Sequence, residues 1–142
     1  MKTIKQLLTV KGNDIWAVEP GDSVFDAIAM MAEKGVGALL VMQDSKTVGI
    51  LSERDYARKV ILQGRSSKDT AVREIMTPDV VFVGPENTIE ECMALMTDKR
   101  IRHLPVLEDK KLLGVVSIGD LVKAIISDQR FRIEQLERYV SG

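Results

Sequence analysis

The amino-acid sequence predicts an α/β (α+β) fold built from two tandem β-α-β-β-α units and a C-terminal helix. Three observations carry this expectation. The 142-residue chain matches itself at a constant offset, its turn residues recur at the same places in both copies, and its apolar residues switch between strand and helix periods in the same order twice.

The match begins where Val18-Glu19-Pro20 falls on Val83-Gly84-Pro85, an offset of 65 residues, and it continues without a gap for about forty residues. Ala29/Ala94, Met31/Met96, Leu39/Leu104, Gly49/Gly114, Ser52/Ser117 and Asp55/Asp120 all lie on it. Each copy opens with a β-branched apolar run, Ile15–Val18 or Val80–Val83, closed by a proline-containing turn, which predicts a short strand. Ser23-x-x-Asp26 and Thr88-x-x-Glu91 follow as capping-box patterns. Behind them Val24, Ala27, Ile28 and Met31, and likewise Ile89, Cys92, Met93 and Met96, share one helical face, so these methionines and the cysteine are core residues. Ala38–Met42 and His103–Leu107 are the next strands, Gln43–Lys46 and Glu108–Lys111 the turns, and Val48–Leu51 and Leu112–Val116 the returning strands. A last helix starts at Ser52 or Ser117.

Ile4–Leu8 and Val72–Met76 are expected as short helical lead-ins, one before each copy, with Gln63–Arg73 a polar linker. The predicted boundaries are residues 1–66 for the first unit with its lead-in, 67–127 for the second, and 128–142 for a helical extension in which Phe131, Leu136 and Tyr139 are available for packing. A unit of about 45 residues buries too little surface to be stable alone. The two are therefore expected to pack together about a pseudo-two-fold axis.

Composition narrows the function classes. With 20 basic and 21 acidic residues the net charge is −1, which provides no field for duplex nucleic acid or an anionic membrane surface. No apolar run approaches the length of a bilayer span, and the opening MKTIKQLLTVKGNDIW has no apolar core of signal-peptide length. A single cysteine, Cys92, allows neither an internal disulfide nor a cysteine-based metal cage, so a reducing cytoplasm is the expected setting.

Three groups of residues bring the chain close to a known family. These are Ile75-Met76-Thr77-Pro78, the stretch Ile101-Arg102-His103-Leu104-Pro105-Val106, and Gly114-Val115-Val116-Ser117-Ile118-Gly119-Asp120-Leu121, with first-copy counterparts Gly35-Val36-Gly37-Ala38 and Gly49-Ile50-Leu51-Ser52-Glu53-Arg54-Asp55. In order, spacing and duplication they resemble a cystathionine-β-synthase (CBS) domain pair, or Bateman module, and the stretch from Glu53 to Lys68 resembles stand-alone CBS-pair proteins. The resemblance implies a sensor of adenosine nucleotides such as AMP, ATP or NAD, assembled as a homodimer of pairs, that modulates a separate partner chain.

The Ser-x-x-Asp opening each last helix has two readings. As a helix cap, Ser52 or Ser117 is the N-cap and the aspartate its reciprocal partner. As a ligand site, the unpaired N–H groups and positive dipole end of the helix suit a phosphate, and a carboxylate one turn in can accept from both hydroxyls of a ribose. The resemblance favours the second and gives Ser52 and Asp55, or Ser117 and Asp120, those roles. It also implies an apolar adenine slot. In the first copy this is lined by Ile15, Trp16, Ala17, Val36, Gly37 and Ala38, and in the second by Asp79, Val80, Val81 and Ile101, with Pro105, Ile118 and Gly119 nearby. Trp16 can stack over a base or simply pack; the sequence leaves both open.

The family arrangement further implies that Arg102 and His103 reach the phosphate at the first site, which also has Arg54 and Arg58 on its own helix. Gly37, Ala38 and Gly119 bring no such donors to the second. Charge-assisted contacts contribute roughly 1.5–3 kcal/mol each, so the first site is expected to bind more tightly by about tenfold or more. His103, the only histidine, can also be a plain strand residue with one satisfied ring nitrogen. An enzyme is disfavoured: one histidine and one core cysteine provide no two-histidine metal site and no Cys–His pair, and no Walker-type or G-x-G-x-x-G loop is present. The rival reading is an interaction module that regulates an enzyme, such as a thioredoxin-type protein, without nucleotide.

Overall fold

A computed structural model describes residues 2–141, apart from the side chain of Ser141. Its elements are α1 (Ile4–Lys11), β1 (Ala17–Val18), α2 (Val24–Lys34), β2 (Ala38–Gln43), β3 (Lys46–Ser52), α3 (Glu53–Tyr56), a π-helical stretch at Ala57–Ile61, α4 (Val72–Ile75), α5 (Ile89–Lys99), β4 (His103–Glu108), β5 (Lys111–Ser117) and α6 (Ile118–Ser141). The chain forms two compact units, Ile15–Val80 and a second composed of Met1–Asp14 with Val81–Gly142.

The compact units are offset from the sequence repeats, because each lead-in packs with the copy it does not precede. The α1 segment closes on the second copy through Ile4 N–H to the Asn87 carbonyl (2.8 Å), Lys5 N–H to Pro85 (2.9 Å) and Ile89 N–H to Lys2 (3.0 Å). Its buried Ile4 and Leu7 join the core of Ile89, Cys92, Met96, Leu104, Val106, Val116 and Leu121. In the same way α4 places buried Val72 and Ile75 in the core of the first copy, with Val24, Met31, Leu39, Val41 and Leu51. The polar linker is also held: Thr70 and Ser67 carbonyls accept from Val24 and Phe25 at the start of α2 (2.9 and 3.0 Å), and Thr70 is buried. Those acceptors satisfy N–H groups that a helix N-terminus leaves without intrahelical partners.

Within each unit the local chemistry accounts for the elements. The Ser23 hydroxyl accepts from Asp26 N–H (3.1 Å) to start α2, and Thr88 and Glu91 form the full reciprocal box that starts α5. Both hairpins turn on two residues of positive φ, Asp44-Ser45 and Asp109-Lys110, the geometry whose twist matches paired strands. β2 and β4 share one burial pattern along their lengths, as do β3 and β5. The helix ends differ in chemistry only. Gly35 (φ 66°) closes α2, and Arg100 (φ 56°) occupies the matching place after α5. A Cβ at Gly35 would meet nothing within 4 Å, so Gly35→Ala isolates the left-handed backbone term. We expect it to cost about 1 kcal/mol in urea unfolding.

The first strands are shorter than expected. β1 pairs in parallel with β2 over two residues, with Leu40 N–H donating to the Trp16 carbonyl (3.1 Å). In the second copy Leu40 is replaced by Pro105, which has no N–H to offer Val81. The strand expected at Val80–Val83 therefore reduces to a single parallel bridge, Val83 to Val106. The last helices differ too: α3 passes after one turn into the π-helical stretch, whereas α6 runs unbroken for 24 residues.

Candidate functional site

The Ser-x-x-Asp motif sits at the same structural place in both units. The first N–H of α3, from Glu53, donates to the Gly37 carbonyl (3.0 Å), and that of α6, from Ile118, donates to Arg102 (2.8 Å). The helix start is thereby tied to the beginning of β2 or β4. In the first unit Ser52 N–H and Ser52 Oγ both reach Asp55 Oδ2 (3.0 and 3.1 Å), and Asp55 N–H donates to Ser52 Oγ (3.2 Å). In the second, Ser117 N–H donates to Asp120 Oδ2 (2.8 Å) and Asp120 N–H to Ser117 Oγ (3.1 Å). The capping geometry is present in both, and it holds each carboxylate at the mouth of its helix.

What else meets the carboxylates was not anticipated from sequence. Asp55, nine-tenths buried, receives Thr77 Oγ1 at 3.4 Å and Lys59 Nζ at 3.1 Å on Oδ1. Thr77 is brought there by a two-way backbone bridge to Ile50 in β3 (2.9 Å each way), and Lys59 Nζ also donates to the Ile75 carbonyl (2.9 Å). Asp120 instead pairs with Lys11 from the end of α1 (2.6 Å), whose ammonium also donates to the Val115 carbonyl. At the repeat offset Lys59 and Thr77 fall on Ala124 and Gly12, while Lys11 falls on Met76. Each aspartate therefore has one lysine, delivered by different parts of the fold. An i, i+4 spacing from Asp55 to Lys59 was the available signal for one of them; nothing local marks Lys11 or Thr77.

The expected slot residues Ile15, Trp16, Ala17, Val36, Gly37 and Ala38 are all half-buried in the first unit. Trp16 packs against that unit's core with Lys34 Nζ 4.5 Å from its ring centroid, a cation–π contact. Arg54 is half-buried and Arg58 exposed on the same helical segment. Of the second set, Asp79 and Val80 end the first unit, while Val81, Ile101, Ser117, Ile118, Gly119 and Asp120 lie in the second. Pro105 is buried within β4, and Gly119 is exposed. Arg102 and His103 belong to the unit of Asp120. A cleft of about 340 Å³, lined by Lys5, Leu8, Thr9, Gly12, Asn13, Pro85 and Leu113, shares no residue with either Ser–Asp site.

Charge is distributed unevenly around Asp120. Burial opposes its ionisation, but Lys11 and the Ser117 N–H outweigh burial and hold the carboxyl below its ordinary value. His103 is held below its ordinary value by burial first, then by Lys11 and Arg102, with Asp120 opposing. Both groups carry fewer protons folded than unfolded in the affected range, so both lower stability on acidification, His103 in the window below pH 6.5 and Asp120 below pH 3.8. The melting temperature is expected to fall as pH drops through the His103 window, and His103→Gln should flatten that part of the profile in calorimetry.

Burial pushes the Cys92 thiol up to about 11, aided by Glu91, as suits a core residue without nucleophilic character. Among the described residues no group of three or more His, Cys, Asp or Glu side chains could hold a metal ion, and no helix is long and apolar enough to cross a membrane.

Comparison with known proteins agrees with this architecture. The CBS-domain family model matches residues 5–61 and again 72–127. The mitochondrial CBS domain-containing protein CBSX3 of Arabidopsis thaliana is 42% identical, over 99% of this chain and 72% of its own length. A solved CBS-domain protein from Burkholderia ambifaria superposes with a TM-score of 0.87 at 56% identity, covering 90% of this chain and 96% of that one. The CBS-domain pair of protein MJ0100, solved in complex with 5′-methylthioadenosine and S-adenosyl-L-methionine, shares the fold (TM-score 0.80) at 20% identity, covering 90% of this chain and 98% of that one. With two matched copies spanning most of its length, the chain belongs to the CBS-domain family as a tandem pair.

Proposed function

We propose that this protein is a non-catalytic sensor that binds an adenosine nucleotide and modulates a separate partner protein, working as a homodimer of pairs. The observation that carries the proposal is the Ser-x-x-Asp held at the mouth of a helix in each unit, next to half-buried apolar residues in the first. Ser52, the N-cap residue of α3, is the phosphate anchor, and Asp55 accepts from the ribose hydroxyls. Arg54 and Arg58 lie on the same segment, which favours the first site over the one built on Ser117 and Asp120. A ribose replaces the contacts Asp55 makes with Thr77 and Lys59, so neither carboxylate oxygen is left without a donor. That the MJ0100 pair binds two adenosine compounds supports the ligand class. A reducing compartment such as the cytoplasm suits the single buried thiol, although the Arabidopsis relative is mitochondrial.

Isothermal titration with AMP, ATP, NAD and S-adenosylmethionine tests the proposal. Saturable binding by at least one of them, strongest for a phosphate-bearing ligand, is the expected result. No binding of any at millimolar concentration would leave the interaction module, acting on a thioredoxin-type or other enzyme without nucleotide, as the better account.

A further inference from the structure

α6 continues well beyond its last contact with the core. Leu121 is fully buried and Ala124 and Ile125 pack beside it, whereas every residue from Gln129 to Val140 is exposed. This outer half is nevertheless apolar in a regular way. Val122, Ile126, Ile133, Leu136 and Val140 follow one another at steps of three, four or seven residues, with Gln129 in the one remaining place. They are the a and d positions of a heptad: Ile126, Ile133 and Val140 at a, Val122, Gln129 and Leu136 at d. Ile133, Leu136 and Val140 are 55, 64 and 83% exposed, too much apolar surface to leave wet along one seam.

A repeat of 3.5 residues is the period that keeps one stripe facing a second helix through a left-handed supercoil. β-branched residues at a with leucine at d favour two parallel strands. The flanking charges fit the same partner. Arg132 is at g and Glu137 at the following e, the two positions that meet across a parallel pair, so two copies of this helix form the ion pair twice. Arg132 now contacts Asp128 on its own helix at 3.3 Å, an exposed pair that is cheaply given up. We propose that α6 binds α6 of a second copy of this chain as a parallel two-stranded coiled coil, with Ile126, Ile133, Leu136 and Val140 in the seam. Gln129 faces its counterpart and sets the register, as a lone polar core residue does. Phe131 stands on the opposite side of the helix, outside the seam. The proposal gives an interface to the homodimer proposed above, and the ligand titrations do not depend on it.

Sedimentation equilibrium of the full chain tests this, with the fold checked by circular dichroism, since the altered residues make no core contacts. The wild type is expected to dimerise at tens of micromolar, roughly the range for a short seam. Ile133→Asp with Leu136→Asp should weaken the dimer by at least about tenfold, while Phe131→Asp, equally exposed, should leave it unchanged. Arg132→Glu or Glu137→Arg alone should weaken it, and the two together should restore it. A wild type that stays monomeric would overturn the homodimer and the seam together. A dimer unaffected by the Ile133 and Leu136 substitutions would overturn the seam alone. Restoration by Arg130→Glu with Glu137→Arg, in place of the Arg132 pair, would overturn the parallel arrangement.

Discussion

Asp55→Ala is expected to lower nucleotide affinity by about tenfold or more, and Asp120→Ala by less, when both are titrated with the tightest ligand of the panel. Asp55 sits where a ribose has to be read. Its carboxylate is nine-tenths buried, fixed by two donors from Ser52, and already faces a hydroxyl donor, Thr77, and an ammonium, Lys59. A group so placed is pre-organised, and removing it leaves those donors without an acceptor as well as removing the ribose contact. Asp120 is more exposed and shares its Oδ2 between Ser117 and Lys11. Its loss affects a looser site. Because each substitution also removes a reciprocal cap, a stability loss of about 1 kcal/mol accompanies both and must be measured in parallel. Asp55→Asn, which keeps a capping oxygen, should retain more stability than binding. Equal losses of affinity in the two alanine variants would remove the inequality between the sites, and an unchanged affinity in Asp55→Ala would remove the site itself.

Gly49→Val should destabilise the protein by about 3 kcal/mol in urea unfolding, with m unchanged. A Cβ at Gly49 would lie 2.6 Å from the Met76 sulfur, 3.0 Å from its Cγ and 3.1 Å from the Thr77 carbonyl oxygen. Methionine can swing away, but the carbonyl cannot, because the Thr77–Ile50 bridge is what joins this segment to β3. The substitution therefore breaks the bridge or strains it, and Thr77 leaves Asp55 in either case. The repeat supplies an internal control in Gly114, where the atoms nearest a Cβ would be those of the flexible Leu8 side chain at 3.0 and 3.5 Å and Asn13 Cα at 3.6 Å. Gly114→Ala should cost under about 1 kcal/mol. A Gly49→Val protein as stable as the wild type would show that the Met76-Thr77 segment is not needed where it lies.

The two predictions depend on different kinds of information. The helix caps at Ser23, Thr88, Ser52 and Ser117 and the hairpins at Asp44 and Asp109 follow from residues three or four apart, so they were legible in the sequence. The short strand of the second copy is legible too: Pro105 inside an apolar run marks a neighbouring strand that loses a hydrogen bond, and Val80–Val83 keeps only the bridge at Val83. The π-helical turn after Tyr56 has no such marker, since it opens the backbone between residues of ordinary helix propensity.

By itself, then, the sequence determined the duplicated unit, the order of its elements and the aspartate that ends each Ser-x-x-Asp, because periodicity, capping and turn chemistry act over a few residues. Tertiary structure alone decided which side chains reach those aspartates. Lys11 meets Asp120 from 109 positions away and Thr77 meets Asp55 from 22, each delivered by a lead-in that packs with the copy it does not precede. Burial drives that choice: Ile4 and Leu7 complete the core around Leu104, and Val72 and Ile75 the core around Leu39, a matter of fit between distant apolar faces that no local pattern records.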